Sequence, residues 1–307
     1  MDYYVARHRF SIHDELGIPS GFEAFLKPTE MGAGPQYCPF CNMIAADEWH
    51  VTPPPIYHHE QRKKTLFSFR FTETDTDCVF SASEEEEGQF PSLQLRMKPK
   101  NGDQSLFLNY RYGTSTATIL PNERDEDLHF ALWYAFALMA APTGSTLIHS
   151  AAIVHNERVV LFLGESGAGK STHARLWTEH VPGVWLLNDD SPILSLSSED
   201  PLVFGSPWSG KSPCYHNIGY PLKSIVRLQQ SPSNAIHRLS PLEAMAAILP
   251  SLPPAFAYEE HLKENMLVIA ERAIESVPIF HLDCLPNKEA ALLCCETIES
   301  GRENRHS

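Results

Sequence analysis

The run Gly164-Glu165-Ser166-Gly167-Ala168-Gly169-Lys170-Ser171 matches the pattern G-x-x-x-x-G-K-[ST] in full, and each fixed residue has a chemical task. Glycine lets the backbone take positive φ and approach a ligand without a side chain in the way. Successive backbone N–H groups in such a loop converge on an anion, and a helix that begins near Lys170 adds the positive end of its dipole. Lys170 sets a compact cation against the β- and γ-phosphates, and Ser171 offers a hydroxyl to Mg²⁺. Glu165, Ser166 and Ala168 fill the free positions of the pattern. Residues 164–172, which include Thr172 beside the serine, are the expected binding segment for a nucleoside triphosphate with Mg²⁺.

A metal–triphosphate site needs an acidic anchor, and transfer to a hydroxyl needs a base. Asp189 and Asp190 follow the apolar run Val184-Trp185-Leu186-Leu187, so they are expected at the carboxyl end of a strand, where ligands bind in open α/β sheets. Adjacent residues of an extended chain point to opposite sides, so one aspartate can reach a metal while the other faces an acceptor. Ser171 and Asp189 are the candidate metal ligands, and either aspartate is a candidate base. Taken alone, Asn188-Asp189-Asp190-Ser191-Pro192 also has the composition of a plain turn.

The elements that must position these groups are readable from periodicity. Residues 159–163 form an apolar run that enters the glycine loop, and residues 171–180 suit a helix leaving it. Residues 146–154 and 159–163 flank the polar turn His155-Asn156-Glu157-Arg158 and read as a hairpin. Residues 128–141 are apolar nearly all round and too short to span a membrane, so they read as a buried helix ended by Pro142 and Gly144. Farther on, helices are expected near 241–249, 263–276 and 287–300, with a strand over 277–282. Residues 1 to about 120 carry alternating stretches, among them 66–71, 77–80 and 105–110, which read as strands of a mostly β domain. Glu84 to Gly88 read as a solvated turn. The division is expected at 1–125 and 126–307.

The whole composition narrows the class of partner. A net charge of −14 over 307 residues disfavours nucleic acid, whose backbone is held mainly by Lys and Arg. The N-terminus lacks the basic-then-apolar order of a secretion signal, and no apolar run reaches the ~18 residues of a membrane span. Seven cysteines, an odd number with Cys294 next to Cys295, do not suit a disulfide framework. A soluble cytoplasmic protein without a membrane partner is expected.

His149, the hairpin, residues 164–171 and the Asp189-Asp190 pair together resemble the HPr kinase/phosphorylase family, which is related to ATP-dependent phosphoenolpyruvate carboxykinase. Leu186-Leu187-Asn188-Asp189-Asp190 and Phe204-Gly205-Ser206-Pro207-Trp208-Ser209-Gly210-Lys211 resemble stand-alone bacterial HPr-kinase-like proteins. The resemblance covers residues 145–230 closely and the C-terminal remainder loosely; residues 1–120 match no family we can name. It implies an α/β fold with an HPr-kinase/carboxykinase-type P-loop domain after the mostly β N-terminal domain. It also implies Mg²⁺ and ATP, self-association, and phosphoryl transfer to a serine-type hydroxyl of a protein, peptide or small molecule. By position, one of Asp189 and Asp190 would be the base while the other helps hold Mg²⁺, and His149 would sit beside the phosphates. Lys211 would stabilise the transferred group, and Arg227 is a weaker candidate for the same task. Thr172 stands where the family usually carries Glu, and the glycine-rich signature tied to phosphorolysis is missing, so the kinase-type site is the part of the resemblance that transfers.

Other constellations say less. Cys38-Pro39-Phe40-Cys41 has half the ligands of a zinc site and no credible second half, since the adjacent His58 and His59 lack finger spacing. Trp208 lies in the Gly-bounded segment, near a ligand or in packing. Asn287-Lys288 is followed by Glu289-Ala290, which lacks the guanine-reading Asp of GTPases. Two alternatives stay open: a nucleotide-binding regulatory or accessory protein without transfer activity, and a carboxykinase-like enzyme.

Overall fold

The computed structural model describes residues 1–17, 19–26, 47–54, 63–72, 74–83, 91–210 and 213–300. Cys38, Cys41, His58, His59, Glu84 to Gly88 and Lys211, named above, lie outside the described residues. The chain forms two compact units, the first built from the N-terminal part to Thr143 with a return over Ala255–Asn265, the second holding Gly144–Pro254 and the chain after Met266.

The first unit is an eight-stranded sheet. Its strands are β1 (Asp2–Val5), β2 (His8–Ile12), β3 (Asp47–Thr52), β4 (Lys63–Phe71), β5 (Thr76–Ser83), β6 (Ser92–Pro99), β7 (Leu106–Arg111) and β8 (Thr116–Leu120), in the order β1-β2-β3-β8-β7-β6-β5-β4. The alternating residues of β4, β5 and β7 thus form the strands their period-two pattern predicts. Helix α1 (Asp125–Ala140) packs with this sheet: Phe136 lies edge-on to Phe10 at 5.7 Å and to Trp49 at 5.5 Å between ring centroids. By the expected division at 125/126 this helix belongs to the second domain. It joins the first because its apolar surface is what the sheet's aromatic face requires. Asp127, buried in its first turn, accepts hydrogen bonds from Thr74 Oγ1 (2.8 Å), Thr76 Oγ1 (3.3 Å) and Asn122 Nδ2 (2.8 Å), which ties the β4–β5 hairpin to the helix start. His8, stacked on Trp49 at 3.9 Å, has its pKa pushed down to about 3 by burial, with the charge of Arg7 adding to it. It is a packing residue.

The second unit contains β9 (Ser145–Leu147), β10 (Ser150–His155), β11 (Arg158–Leu163), α2 (Lys170–His180), β12 (Trp185–Asp190), β13 (Ile193–Ser195), β14 (Leu202–Phe204), β15 (Gly219–Gln230), β16 (Ala235–Arg238), α3 (Pro241–Ile248), the part of α4 (Glu260–Ser276) from Met266 onward, β17 (Ile279–Cys284) and α5 (Lys288–Ser300). One path of pairing runs β12-β10-β11-β15-β14-β13-β9, with β17 against β15 and β16 against β17. The 12-residue β15 joins both parts, pairing β14 through its first residues and β11 and β17 through the rest. The expected hairpin is β10–β11, closed by Asn156 and Glu157 at φ 50° and 56°, the positive-φ pair of a tight two-residue turn. The single strand expected over 146–154 is two, because Ile148 and His149 leave the sheet between β9 and β10. α3 opens on a capping box in which Ser240 and Glu243 satisfy each other's backbone N–H, with Pro241 at the first helical position.

Strand β11 is antiparallel to β10, and β10 to β12, so β11 and β12 run in the same direction. β15 is parallel to β11. The glycine loop after β11, the Asp189-Asp190 pair of β12 and Gln230 of β15 therefore share one end of the sheet. α2 and α5 cover one face over Ala151, Ile153, Phe162, Trp177, Val226, Leu282 and Ile298. The described cysteines, Cys78, Cys214, Cys284, Cys294 and Cys295, are free thiols. Among the described residues no helix is long and apolar enough to cross a membrane.

Trp177 anchors α2 to this face. It is fully buried, packs on Phe162 at 5.7 Å and donates from Nε1 to His173 Nε2 at 3.1 Å. Trp177→Ala should cost about 3–5 kcal/mol in denaturant unfolding; a loss below about 1 kcal/mol would show that α2 is not held by this contact.

Candidate functional site

The glycine loop takes its shape from its neighbours. Gly164 has φ 153°, and a Cβ there would lie 2.8 Å from Ala168 Cβ and 3.2 Å from Leu228 O. Gly167 and Gly169 have φ 83° and 99°, where side-chain-bearing residues are strained. Ala168 N donates to Glu165 O at 3.0 Å, and Gln230 Nε2 reaches across from β15 to Gly167 O at 2.8 Å. Gly169 is the N-cap of α2 and supplies no side-chain cap. The first N–H groups of the helix consequently have no internal partner and point out of its end, as an anion site needs.

Lys170 lies at the centre. Its Nζ donates to Gly164 O at 3.0 Å and Glu165 O at 3.2 Å, and stands 2.9 Å from His149 Nε2. Burial holds its pKa below the ordinary lysine value, with the charge of Arg227 adding to the effect and the Asp190 and Asp189 carboxylates opposing it. His149 occupies the step between β9 and β10, where its N–H donates to Ser251 O at 2.7 Å. Its Nδ1 lies 3.3 Å from Asp190 Oδ1. While the ring is neutral, the tautomer with its proton on Nδ1 satisfies both ring contacts, donating to Asp190 and accepting from Lys170.

The two aspartates part company, and a bulge explains how. Ala152 pairs Asn188 while the next residue, Ile153, pairs Leu186, so Leu187 is one residue extra on β12. The extra residue turns both Leu186 and Asp189 toward α2, although they are three positions apart. There Ser171 Oγ donates to Asp189 Oδ1 at 2.8 Å. Asp190 turns the other way, to His149, and its Oδ2 accepts from Ser191 Oγ at 3.0 Å. Burial pushes the Asp190 pKa up, but the hydrogen bond and charge of His149, the Ser191 hydroxyl and Lys170 outweigh it, so the carboxyl sits below its ordinary value. The pair closes β12 at its carboxyl end, as expected, with Asp189 and Asp190 still paired opposite Ala151 and Ser150.

Asp190 has φ 139°, a conformation that residues with side chains rarely adopt. What enforces it is a network that sequence reading did not single out. The Asn188 side chain, fully buried, donates to Trp208 O (3.1 Å), Ser206 Oγ (3.3 Å) and Ser206 O (3.4 Å) and accepts from Ser191 N (3.0 Å). Ser206 Oγ also bonds Ser191 O at 2.7 Å. The amide thus clamps residues 188–191 to 206–208 on both sides of Asp190. Asp190 then bridges Ser209, and Gly210 N donates to Asp189 O. A Cβ at Gly210 would lie 3.0 Å from Asp189 O. The only sequence signal for this clamp was the unusual Asn-Asp-Asp and Gly-Ser-Pro-Trp-Ser-Gly composition, which reads equally as turns.

Of the remaining candidates, Arg227 donates from Nη1 to Ala247 O at 3.2 Å and approaches Glu165 Oε1 at 3.9 Å, which places it beside the loop. Thr172 lies on the first turn of α2. Trp208 is buried at 3% exposure and belongs to the Asn188 clamp. Among the described residues no group of three or more His, Cys, Asp or Glu side chains could hold a metal. A nucleotide-borne Mg²⁺ needs only one or two protein oxygens beside phosphate and water, and the Ser171 hydroxyl with the Asp189 carboxylate is such a hard-oxygen pair. Next to that pair opens a cavity of about 320 Å³, lined by Ser171, Thr172, Ala174, Arg175, Thr178, Leu186 and Asp189.

Compared with known proteins, the chain matches no protein-family model and no curated protein.

Asn188→Ala should destabilise the second unit by about 1–3 kcal/mol, since it strips hydrogen bonds from groups that remain buried. Urea unfolding measures it, and a change within about 0.5 kcal/mol would show that the clamp is not what holds residues 188–210 together.

Proposed function

We propose that this protein is a Mg-ATP-dependent phosphotransferase that acts on a hydroxyl of a protein, peptide or small molecule. The observation that carries the reading is the division of labour between adjacent aspartates at the mouth of the glycine loop: Asp189 on the Ser171 hydroxyl, Asp190 on His149 and near Lys170. An ordinary turn has no reason to send two carboxylates to these two places and to hold one of them at a strained φ.

In this reading the loop N–H groups and the start of α2 bind the triphosphate, and Lys170 exchanges its loop carbonyls for phosphate oxygens. Ser171 and Asp189 would hold Mg²⁺, whose role when bound is to neutralise charge on the phosphates. Asp190 receives the proton of the acceptor hydroxyl as the new O–P bond forms and the bond from the γ-phosphorus to the β–γ bridging oxygen breaks, so that ADP leaves with that oxygen. His149 fixes the orientation of that carboxylate. The depressed pKa keeps Asp190 ionised at neutral pH, as a base must be before transfer. The resemblance noted above supports the same assignment and the expectation of a cytoplasmic, self-associating protein.

Incubation with γ-labelled ATP, Mg²⁺ and a panel of hydroxyl acceptors tests the proposal. Lys170→Ala should weaken ATP binding about 10- to 100-fold, the scale of lost charge-assisted hydrogen bonds. Asp190→Asn should lower kcat by about 10²–10⁴-fold with ATP affinity little changed. An Asp190→Asn protein that transfers phosphate as fast as the parent sinks the assignment of the base.

The pH profile gives a second check. His149 lowers the Asp190 pKa through its hydrogen bond and charge. His149→Ala should therefore raise that pKa and move the acidic limb of kcat/KM to higher pH. A limb that stays in place, or moves down, would separate His149 from the base.

A further inference from the structure

The cavity beside α2 has no task in the transfer step as described. Thr172, Arg175 and Thr178 recur every three residues and so line one face of the helix. Across from them Leu186 is brought to the same side by the bulge at Leu187. The cavity meets the glycine loop at Ser171 and Asp189, and Asp190 does not line it. At about 320 Å³ it lies at the small end of the ~300–1,000 Å³ range of ligand pockets.

We propose that this groove is the nucleoside site of the triphosphate, with the Thr172 hydroxyl beside the sugar, the Arg175 guanidinium against the face of a planar base, Leu186 as its apolar wall and Thr178 at the far end of the base. This rests on the triphosphate reading above and adds to it where the ligand's other end goes. Polarity along the loop carries the argument. Lys170 belongs at the β- and γ-phosphates, and its Nζ lies on the side of His149 and Asp190. The α-phosphate end must then run the opposite way, over Ser171 and Thr172, into the groove. In-line transfer demands the same, because acceptor and leaving oxygen stand on opposite sides of the γ-phosphorus. An acceptor in the groove would be cut off from Asp190 by Asp189 and the Ser171 hydroxyl. The Arg175 side chain is 68% exposed, and its ion pair to Glu179 spans 3.9 Å, so little has to be broken for it to lie on a ring. Guanidinium groups stack well on aromatic faces.

Calorimetric titration with ATP and with inorganic tripolyphosphate, both with Mg²⁺, separates the two ends of the ligand. The parent protein should bind ATP at least about tenfold more tightly than tripolyphosphate. Arg175→Ala should remove most of that preference while leaving tripolyphosphate affinity within about twofold. Thr178→Trp, a solvent-facing helix position that fills the groove, should do the same without threatening the fold. Equal affinity of the parent for the two ligands, or variants that keep the full preference for ATP, would overturn the groove assignment and leave the triphosphate site standing. A parent that binds neither ligand overturns the triphosphate reading, and the groove with it.

Discussion

The buried Asn188 carboxamide and the bulge beside it are the constraint on which the candidate site depends, because together they decide where two neighbouring carboxylates go. A regular strand would present Leu186 and Asn188 to one face and Leu187 and Asp189 to the other. With Leu187 as the extra residue, Leu186 packs under α2, Asp189 reaches Ser171, and Asn188 is left facing residues 206–208 with its hydrogen-bonding groups aimed at Ser206, Trp208 and Ser191. In a buried position a carboxamide must find partners or lose several kcal/mol of solvation. Its partners here are Ser191 N, just past Asp190, and the Ser206 and Trp208 carbonyls with the Ser206 hydroxyl. The strand end and residues 205–210 thus form one rigid piece.

Electrostatics build on that piece. The chain as a whole is acidic, yet the mouth of the glycine loop gathers the N-terminus of α2, Lys170 and Arg227 against Asp189 and Asp190. Lys170 is held among carbonyls and a histidine, and burial leaves its ammonium under-solvated. A buried cation with mostly neutral partners gains strongly from an incoming anion, so the loop carbonyls serve as a holding place for the charge. His149 links this cation to Asp190 through its two ring nitrogens. Proton position at Asp190 and the placement of Lys170 are coupled through one imidazole.

Much of this architecture was legible in the residues. The period-two runs of β4, β5 and β7, the apolar α1 and the glycine-loop spacing all state their structure locally. What was not legible is what depends on partners distant in sequence. Ile148 and His149 look like the middle of one long strand until Pro192 and Ser251 take their backbone N–H groups. α1 reads as the start of the second domain because the polar stretch before it resembles a linker, but Phe136 finds its place against Phe10 and Trp49. At the site, Lys170, Ser171 and the aspartates announce themselves by type and spacing. Asn188, Ser206 and Gln230 do not, because polar residues among Gly, Pro and Ser look like solvated turns whether or not they are buried.

The strain at Asp190 bears on the choice between a structural and a chemical role. A positive φ well outside the left-handed helical region costs a side-chain-bearing residue about 1–3 kcal/mol, and glycine would remove it. The chain keeps a carboxylate there, adds a fully buried amide to enforce the geometry, and places Gly210 where a Cβ would crowd Asp189 O at 3.0 Å. A turn needing only its shape would be more stable with Gly at 190. The side chain retained at this expense meets His149 and lies near the loop lysine. Local preference and global arrangement conflict at this residue, and such conflicts concentrate at sites selected for chemistry.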